Sequence, residues 1–207
     1  MHFNKLLDNI LGQKSKVKIL RYLVQYQGDF TGREIARACN ISHPIAHKAL
    51  SDLKDEGVII MRKVGNCYLY SLAIEHELIK EIILPLFTKE NKLLQKVTQI
   101  LVFTLKNKIE SIILYGSIVS GKEKAQSDID LLIISKKIKP EIIEKKILEI
   151  NPKILIKFGN QISPLIMTKS DFWKKFKKKD KLIAEIVKKG KILYGKSISE
   201  LIIGKNG

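Results

Sequence analysis

A short apolar run with two alternating acids at its start constrains the fold of this chain more than any other feature. Residues 128–134 read Asp-Ile-Asp-Leu-Leu-Ile-Ile, far shorter than the ~20 apolar residues of a membrane-spanning helix. Aliphatic residues in so short a run predict a buried strand. Alternate side chains of a strand share a face, so Asp128 and Asp130 should point the same way with Cα atoms ~7 Å apart, while Ile129 enters the core.

A second apolar run comes before it. Residues 111–115 read as a buried strand that runs directly into Gly116-Ser117, after which residues 118–121 can begin a helix. Glycine lets the backbone approach a phosphate closely, and a helix start adds a positive dipole. Two aimed carboxylates suit Mg²⁺ or Mn²⁺, which keep water and substrate phosphates as their other ligands. The two runs together predict a phosphate and metal site.

The segment LYGSIVSGKEKAQSDIDLLII, an apolar strand, Gly-Ser, ten residues and Asp-x-Asp, resembles the minimal nucleotidyltransferase family of the polymerase-beta superfamily. The resemblance implies that Gly116 and Ser117 hold a nucleoside triphosphate, and that Asp128 and Asp130 are catalytic and bind Mg²⁺ or Mn²⁺. It implies transfer of a nucleoside monophosphate to a hydroxyl, with release of pyrophosphate. Two cations ~3.5–4 Å apart would activate the acceptor and stabilise the leaving oxygens.

The chain departs from the family pattern in its charged residues after Gly-Ser. Members commonly carry arginine in the following helix, where this chain has Ile118, Val119 and Ser120. Charge at the triphosphate would therefore come from Lys122 or Lys124, and lysine lacks the bidentate geometry of arginine.

The second departure concerns a third carboxylate, which active relatives place on a later strand. The segment 161–167 fits that strand and contains no acid. Ser163 or Pro164 stands at the expected position, and a serine cannot take up a proton as aspartate does. Asp171 is the nearest acid downstream, but the spacing Thr168-x-x-Asp171 favours a helix cap instead.

The first third of the chain has a different pattern. Apolar spacing predicts a helix over residues 15–26, and Thr31 with Glu34 predicts a capping box. After a polar turn, Ser42 should cap a helix that ends at Gly57 and points Ile45, Ala49, Leu50 and Leu53 inward. Residues 58–63 and 67–72 read as a hairpin around a glycine turn. This order resembles the winged helix-turn-helix domains of prokaryotic transcription regulators over residues 14–74.

That resemblance implies that the helix from Ser42 enters the major groove of double-stranded DNA and that the hairpin tip reaches phosphate or the minor groove. The candidate DNA-binding residues are His43, His47, Lys48, Ser51, Arg62 and Lys63. The alternative is a solvated domain that docks protein, which the acids Asp52, Asp55 and Glu56 favour because they weaken the basic face.

The two patterns predict an α/β (α+β) chain: a winged helix-turn-helix domain over 1–74, a helical connector over 75–106 and a small mixed-sheet nucleotidyltransferase-like domain over 107–207. Apolar residues at helical spacing in the connector, interrupted at Pro85, predict two helices or one kinked helix. This stripe could pair with a second copy in a homodimer, or pack on the next domain. Residues 140–150 and 172–188 should be helices.

The amino-acid composition limits the kinds of molecule that this chain is expected to bind. The net charge of +17, with 45% hydrophobic residues, predicts a globular protein that attracts polyanions rather than a disordered or collagenous chain. Ten lysines between 169 and 191 are either a solvated face or a surface for a nucleic acid or phosphate-rich acceptor. Two cysteines, with no Cys/His clustering, argue against zinc and disulfides and predict the cytoplasm. We expect no membrane association.

Three functions remain open from the sequence. The first is an enzyme that transfers a nucleoside monophosphate to a protein or RNA acceptor and also binds DNA. The second is a transcription regulator whose impaired nucleotidyltransferase domain senses nucleotide, which the missing third carboxylate favours. The third is an antitoxin-type nucleotidyltransferase that acts on a partner protein.

Overall fold

The computed structural model describes residues 4–125, 127–136 and 138–203, which form two compact units divided between Lys92 and Leu93. The first unit contains α1 (Leu6–Leu11), α2 (Lys14–Tyr26), β1 (Phe30–Thr31), α3 (Gly32–Ala38), α4 (His43–Asp55), β2 (Ile59–Val64), β3 (Cys67–Leu72), a π-helical turn (Ile79–Ile83) and α5 (Leu84–Asn91). The second contains α6 (Leu93–Leu105), β4 (Ile109–Leu114), α7 (Gly116–Val119), β5 (Ile129–Ser135), α8 (Pro140–Phe158), β6 (Ile162–Thr168), α9 (Lys169–Lys177), α10 (Lys181–Lys189), β7 (Lys191–Gly195) and α11 (Ile198–Ile203).

The first unit is a winged helix-turn-helix. Its capping box is formed: the Thr31 hydroxyl accepts from the Glu34 N–H at 3.3 Å, and the Thr31 N–H donates to the Glu34 carboxylate at 2.8 Å, so α3 begins where the sequence predicts. The strands pair antiparallel in the order β1-β3-β2. In the β2–β3 hairpin Val64 pairs with Cys67, and Gly65 takes a φ of +57° in the turn between them. The prediction of a winged helix-turn-helix is confirmed.

Two details of α4 differ from the prediction. Ile45 is 51% exposed, and Ala46 is buried in its place. The inward positions are Ala46, Ala49, Leu50 and Leu53, which keep the i, i+3, i+4, i+7 spacing of one helix face. Ser42 stands at the cap position with extended backbone, but its hydroxyl makes no capping bond in the described structure.

The segment from 75 to 106, expected to form a separate connector, is instead divided between the two units. Ile79, Ile83 and Phe87 belong to the core of the first unit. Val97, Leu101 and Leu105 of α6 belong to the core of the second. Its apolar stripe is therefore used in packing, and a homodimer through this segment, the other alternative, would have to use side chains that these cores leave exposed.

The second unit is built on a mixed sheet in the order β6-β5-β4-β7. β5 runs parallel to β6 and antiparallel to β4, and β4 runs antiparallel to β7. Ile129, Leu131 and Ile133 pack with α6 and α8 on one face. Leu132 and Ile134 pack with α9, α10 and α11 on the other. Because β5 is covered on both faces, its apolar run is nearly continuous, as buried strands require.

Two helices of this unit differ from expectation. The predicted helix 172–188 is two helices, because Lys179 takes a φ of +55° and the Asp180 carboxylate caps α10 by accepting from the N–H groups of Leu182 and Ile183. The helix predicted to end at Ile150 continues through Pro152 to Phe158. No helix in the described residues has the length and apolar character needed to cross a membrane.

The buried Lys16 ammonium of α2 contacts the Asp52 carboxylate of α4 at 2.9 Å. We expect Asp52→Ala to lower the free energy of unfolding by about 2 kcal/mol, because it leaves the lysine buried without its counter-charge. Asp55, whose side chain is 70% exposed, provides the matched control, and Asp55→Ala should cost less than about 0.5 kcal/mol. Urea denaturation followed by circular dichroism measures both, and equal losses would contradict the assignment.

Candidate functional site

The central strand β5 places Asp130 at one end of the sheet. Its neighbour on the β4 side is Tyr115, whose N–H donates to the Asp130 carbonyl at 3.0 Å. Its partner on β6 is Ser163. By the alternation of strand side chains, Asp130 lies on the same face as Leu132, away from α6 and α8. The carboxylate therefore stands where the chain of β4 turns into α7.

Gly116 is required at that turn for two reasons. Its φ is +76°, which L side chains rarely adopt. A Cβ at this position would lie only 2.1 Å from Oδ2 of Asp130. The following N–H, that of Ser117, donates to the Asp130 carboxylate. The Gly-Ser turn and the second acid of Asp-x-Asp, which the sequence predicted would share one site, are thus in direct contact.

The two acids of the motif also interact. Burial raises the pKa of the Asp130 carboxyl above its usual range, and the negative charge of Asp128 raises this pKa further. The hydrogen bond from the Ser117 N–H acts in the opposite direction. Two carboxylates close enough to repel favour the binding of a cation between them.

The described residues that follow α7 make polar contacts back to the Gly-Ser turn. Ser120 Oγ donates to the carbonyls of Gly116 at 3.0 Å and Ser117 at 3.1 Å. Lys122 N–H donates to the Ser117 carbonyl at 2.9 Å, which brings the exposed Lys122 next to the Gly-Ser turn. The same loop exposes Lys124. The backbone of one lysine is therefore held beside the Gly-Ser turn.

Two residues that the sequence analysis did not single out support this site. Asn160 donates from its side-chain amide to the Ala125 carbonyl at 3.2 Å and to the Ser127 carbonyl at 2.8 Å, which anchors the loop just before Asp128. Tyr115 lies against Asp130, and burial together with that charge raises the pKa of its phenol. Tyr115 precedes Gly116 and could have been found from the motif. Asn160 lies outside it and carries no local signal.

The sheet register decides between the two candidates for the third-carboxylate position. Ser163 pairs with Asp130, whereas Pro164 pairs with Leu131 and so belongs to the opposite face. Asp171 follows the other end of β6, where Thr168 pairs with Ser135, a separation of roughly 16 Å along the strand. Its N–H donates to Thr168 Oγ1 at 3.1 Å in the predicted helix cap. Asp171 therefore cannot complete the site.

The two carboxylates of the site fit a divalent cation that takes its remaining ligands from a substrate and from water. No group of three or more His, Cys, Asp or Glu able to hold a metal is found in residues 4–125, 127–136 and 138–203. Asp128 and Asp130 would supply two carboxylates. Mg²⁺ is commonly bound by one or two carboxylates, with phosphates and water completing its shell.

Comparison with known families decides the class of the second unit. The family described as polymerase beta, nucleotidyltransferase matches residues 95–199, about half of the chain. The chain belongs to this family. The matched range contains the Gly-Ser turn and both acids of the site described above, so the predicted nucleotidyltransferase domain is confirmed.

The chain is similar in sequence to one individual protein and in structure to several solved proteins. The provisionally named protein adenylyltransferase MJ0141 of Methanocaldococcus jannaschii is 39% identical over 67 residues, which is 32% of this chain and 67% of that protein. The transcriptional repressor BigR from Xylella fastidiosa is 21% identical over 41% of this chain and 81% of its own, with a TM-score of 0.35. A toxin–antitoxin crystal structure with AMP-PNP is 16% identical over 53% and 82%, with a TM-score of 0.38.

Besides the nucleotidyltransferase site, the chain has a candidate DNA interface on α4 and the hairpin. His43, His47, Lys48 and Ser51 of α4 are all exposed, and Lys63 is exposed on β2. The rings of His43 and His47 lie 6.5 Å apart. They line a cleft of about 400 Å³ with Arg33 of α3 and Asn66 and Tyr68 of the hairpin. The helix and the wing thus present polar groups to the same space.

The acids that weaken this face in the sequence mostly turn away from it. Asp52 is paired with Lys16, and Glu56 is buried and accepts from the side-chain amide of Asn9 at 3.0 Å. Asp55 alone among the three acids remains exposed. Arg62 differs from the other candidates because it donates to the Asp29 carboxylate at 2.5 Å, a contact that lowers the pKa of Asp29. Part of its charge is therefore neutralised within the unit.

Gly116→Ala tests the close approach of backbone and carboxylate. Both the positive φ and the contact with Asp130 oppose a methyl group, so we expect a loss of about 2 kcal/mol of unfolding free energy. Gly121 also has a positive φ, but nothing lies within 4 Å of a Cβ there, so Gly121→Ala should cost about 1 kcal/mol. Chemical denaturation of both variants separates the steric clash with Asp130 from the backbone strain that both positions share. Equal losses of unfolding free energy would contradict the clash.

The raised pKa of Asp130 predicts a pH dependence of stability. Folding disfavours the charged form of this carboxyl. The stability that the protonated carboxyl provides is therefore fully present below the unfolded pKa of ~3.9, and it is lost as pH rises through the folded pKa. Asp130→Asn should therefore melt at a higher temperature than the wild type at pH 7, with a difference that shrinks towards pH 4. Thermal melts across this range measure it, and a gain that grows in acid would contradict it.

Proposed function

We propose that the second unit binds a nucleoside triphosphate with Mg²⁺ or Mn²⁺ and transfers its nucleoside monophosphate to a hydroxyl acceptor. The observation that carries this proposal is the contact of the Asp130 carboxylate with Gly116 and the Ser117 N–H. It brings an anion-binding turn and a pair of cation ligands into one site. Membership of the nucleotidyltransferase family supports the reaction class.

Each residue has a role in this proposal. Gly116 gives the triphosphate close access to the backbone, and the Ser117 hydroxyl donates to a phosphate oxygen. Lys122, tethered to the turn through its N–H, neutralises phosphate charge. Asp128 and Asp130 hold the cation, which when bound neutralises charge on the phosphate oxygens. The acceptor oxygen forms a bond to the α-phosphorus as the bond to the pyrophosphate oxygen breaks, and the acceptor proton leaves to solvent because Ser163 does not take it up.

The acceptor in this proposal is a hydroxyl on a protein. The similarity to MJ0141, whose provisional name is a protein adenylyltransferase, favours this class, in keeping with an antitoxin-type enzyme that acts on a partner protein. RNA is the other acceptor to test, since Lys178, Lys181 and Lys188 of the 169–191 segment are exposed and would suit its phosphates.

A second function is favoured by Ser163, which pairs with Asp130. A neutral side chain there removes the group that would accept the proton of the acceptor. The unit would then sense nucleotide without efficient transfer and alter the DNA affinity of the winged helix, as a transcription regulator does. Reciprocity requires that DNA then changes nucleotide affinity by the same factor.

We infer that the first unit binds double-stranded DNA through α4 and the hairpin. The ion pair of Asp52 with Lys16 and the burial of Glu56 support this, because they leave Lys48 and Lys63 on a face with less opposing charge. In this proposal His43, His47 and Ser51 read base edges, and Lys48, Lys63 and, in part, Arg62 contact phosphates. Regulators that read two half-sites do so as dimers, so the predicted homodimer belongs to this proposal.

The transfer proposal is tested with α-labelled nucleoside triphosphates, Mg²⁺ or Mn²⁺, and protein or RNA acceptors. We expect label on an acceptor with the wild type, and none with Asp128→Asn/Asp130→Asn. Asp171→Asn is the matched control, because it changes an acid at the other end of the sheet and should leave transfer unchanged. Nucleotide binding by calorimetry without label on any acceptor would favour the sensor, and absence of nucleotide binding would contradict both.

DNA binding predicts a salt dependence that separate variants should reduce. Lys48→Ala and Lys63→Ala should each weaken duplex binding and lower the slope of log affinity against log salt by about 1. Lys80, which pairs with Glu75 at 2.9 Å, provides a lysine control in the same unit, and Lys80→Ala should leave the slope unchanged. Fluorescence anisotropy at several salt concentrations measures this. Unchanged slopes for Lys48→Ala and Lys63→Ala would contradict the groove assignment.

A further inference from the structure

We propose that this site binds one divalent cation with its nucleotide, not two, and that Ser163 is the residue that sets this number. The inference rests on the proposed nucleotide site and concerns its metal content. Asp130 is the innermost acid of the site, because Asp128 lies before the first residue of β5. Whatever joins Asp130 in holding a second cation must come from the strands on either side.

Both lateral neighbours of Asp130 are neutral. Tyr115 lies next to it on the β4 side, where its N–H donates to the Asp130 carbonyl. Ser163 is its partner on β6, and paired residues of neighbouring strands present their side chains to the same face. A hydroxyl can contribute a neutral oxygen, but it adds no negative charge.

The charge that the protein itself supplies on the acceptor side, away from the terminal phosphates, is small for a second cation. Two divalent ions held ~3.5–4 Å apart repel strongly unless anionic ligands lie between them. Asp128 and Asp130 supply two negative charges, and no third acid joins them in the parts of the chain that the structure describes. The triphosphate adds charge for the ion that it accompanies. A second ion on the acceptor side would find only Asp130 and the Ser163 hydroxyl.

The Asp130 carboxylate is also restricted in how many ions it can bridge. It accepts a hydrogen bond from the Ser117 N–H. Its Oδ2 is packed so closely on Gly116 that a Cβ there would lie 2.1 Å away. Lone pairs turned to the backbone are not available to a second ion. This contact reduces the number of Asp130 lone pairs that can face cations, which favours a single cation shared with Asp128.

Electron paramagnetic resonance of Mn²⁺ tests this without relying on activity. The full chain is mixed with a non-hydrolysable nucleoside triphosphate analogue and Mn²⁺, and protein-bound Mn²⁺ is recorded after removal of free ligand. Two Mn²⁺ ions in one site give an exchange-coupled spectrum, whereas a single ion gives an uncoupled six-line spectrum. We expect the uncoupled spectrum from the wild type, with one Mn²⁺ per chain.

Ser163→Asp should convert the site to the coupled spectrum with two Mn²⁺ per chain, and should raise transfer to an acceptor by roughly 100-fold through a new general base. Ser170→Asp is the matched control. It adds the same charge at the start of α9, at the other end of the sheet, and should keep the uncoupled spectrum.

The outcomes separate this inference from the proposed function. A coupled spectrum from the wild type would overturn the single-cation site while leaving the nucleotide site intact. No protein-bound Mn²⁺ together with no calorimetric binding of the analogue would overturn the proposed function, and the inference with it. The wild-type spectrum decides the number of ions even if Ser163→Asp fails to fold, which circular dichroism will reveal.

Discussion

The contact between the Asp130 carboxylate and the backbone of Gly116 and Ser117 is the constraint on which the second unit depends. It joins the end of β4 to the start of β5, two strands that pair antiparallel with Leu114 opposite Leu131. Only a residue without a Cβ fits between them. The cost of holding a partly buried carboxylate there is reflected in the raised pKa of Asp130. A carboxyl with a perturbed pKa at the end of an interior strand is characteristic of functional sites.

The neutral residue beside that carboxylate gives the site its particular character. Ser163 leaves the binding elements of the nucleotidyltransferase site in place while removing a negative charge from its acceptor side. In the proposed function, nucleotide binding and transfer are therefore separable, because transfer additionally depends on the residue at position 163.

The winged helix itself shows how tertiary contacts change the charge of a surface. Three acids on and just after α4 weaken its basic face when the sequence is considered alone. In the fold, Asp52 meets the buried Lys16 and Glu56 meets Asn9, so the outer face is more basic than the local sequence indicates. The partner Lys16 lies 36 positions before Asp52 in the sequence, and no local pattern connects the two.

The sequence by itself determined the elements whose signals are local. The capping box at Thr31 and Glu34, the glycine turn of the hairpin, the buried strand that starts at Asp-x-Asp and its Gly-Ser partner depend on neighbouring residues, and all of these elements form as expected. Only the tertiary structure decided that Ser163 rather than Pro164 adjoins Asp130, that Asn160 anchors the loop, and that the 75–106 segment belongs to two cores. These depend on strand register and packing between distant segments, which the periodicity of a single segment cannot specify.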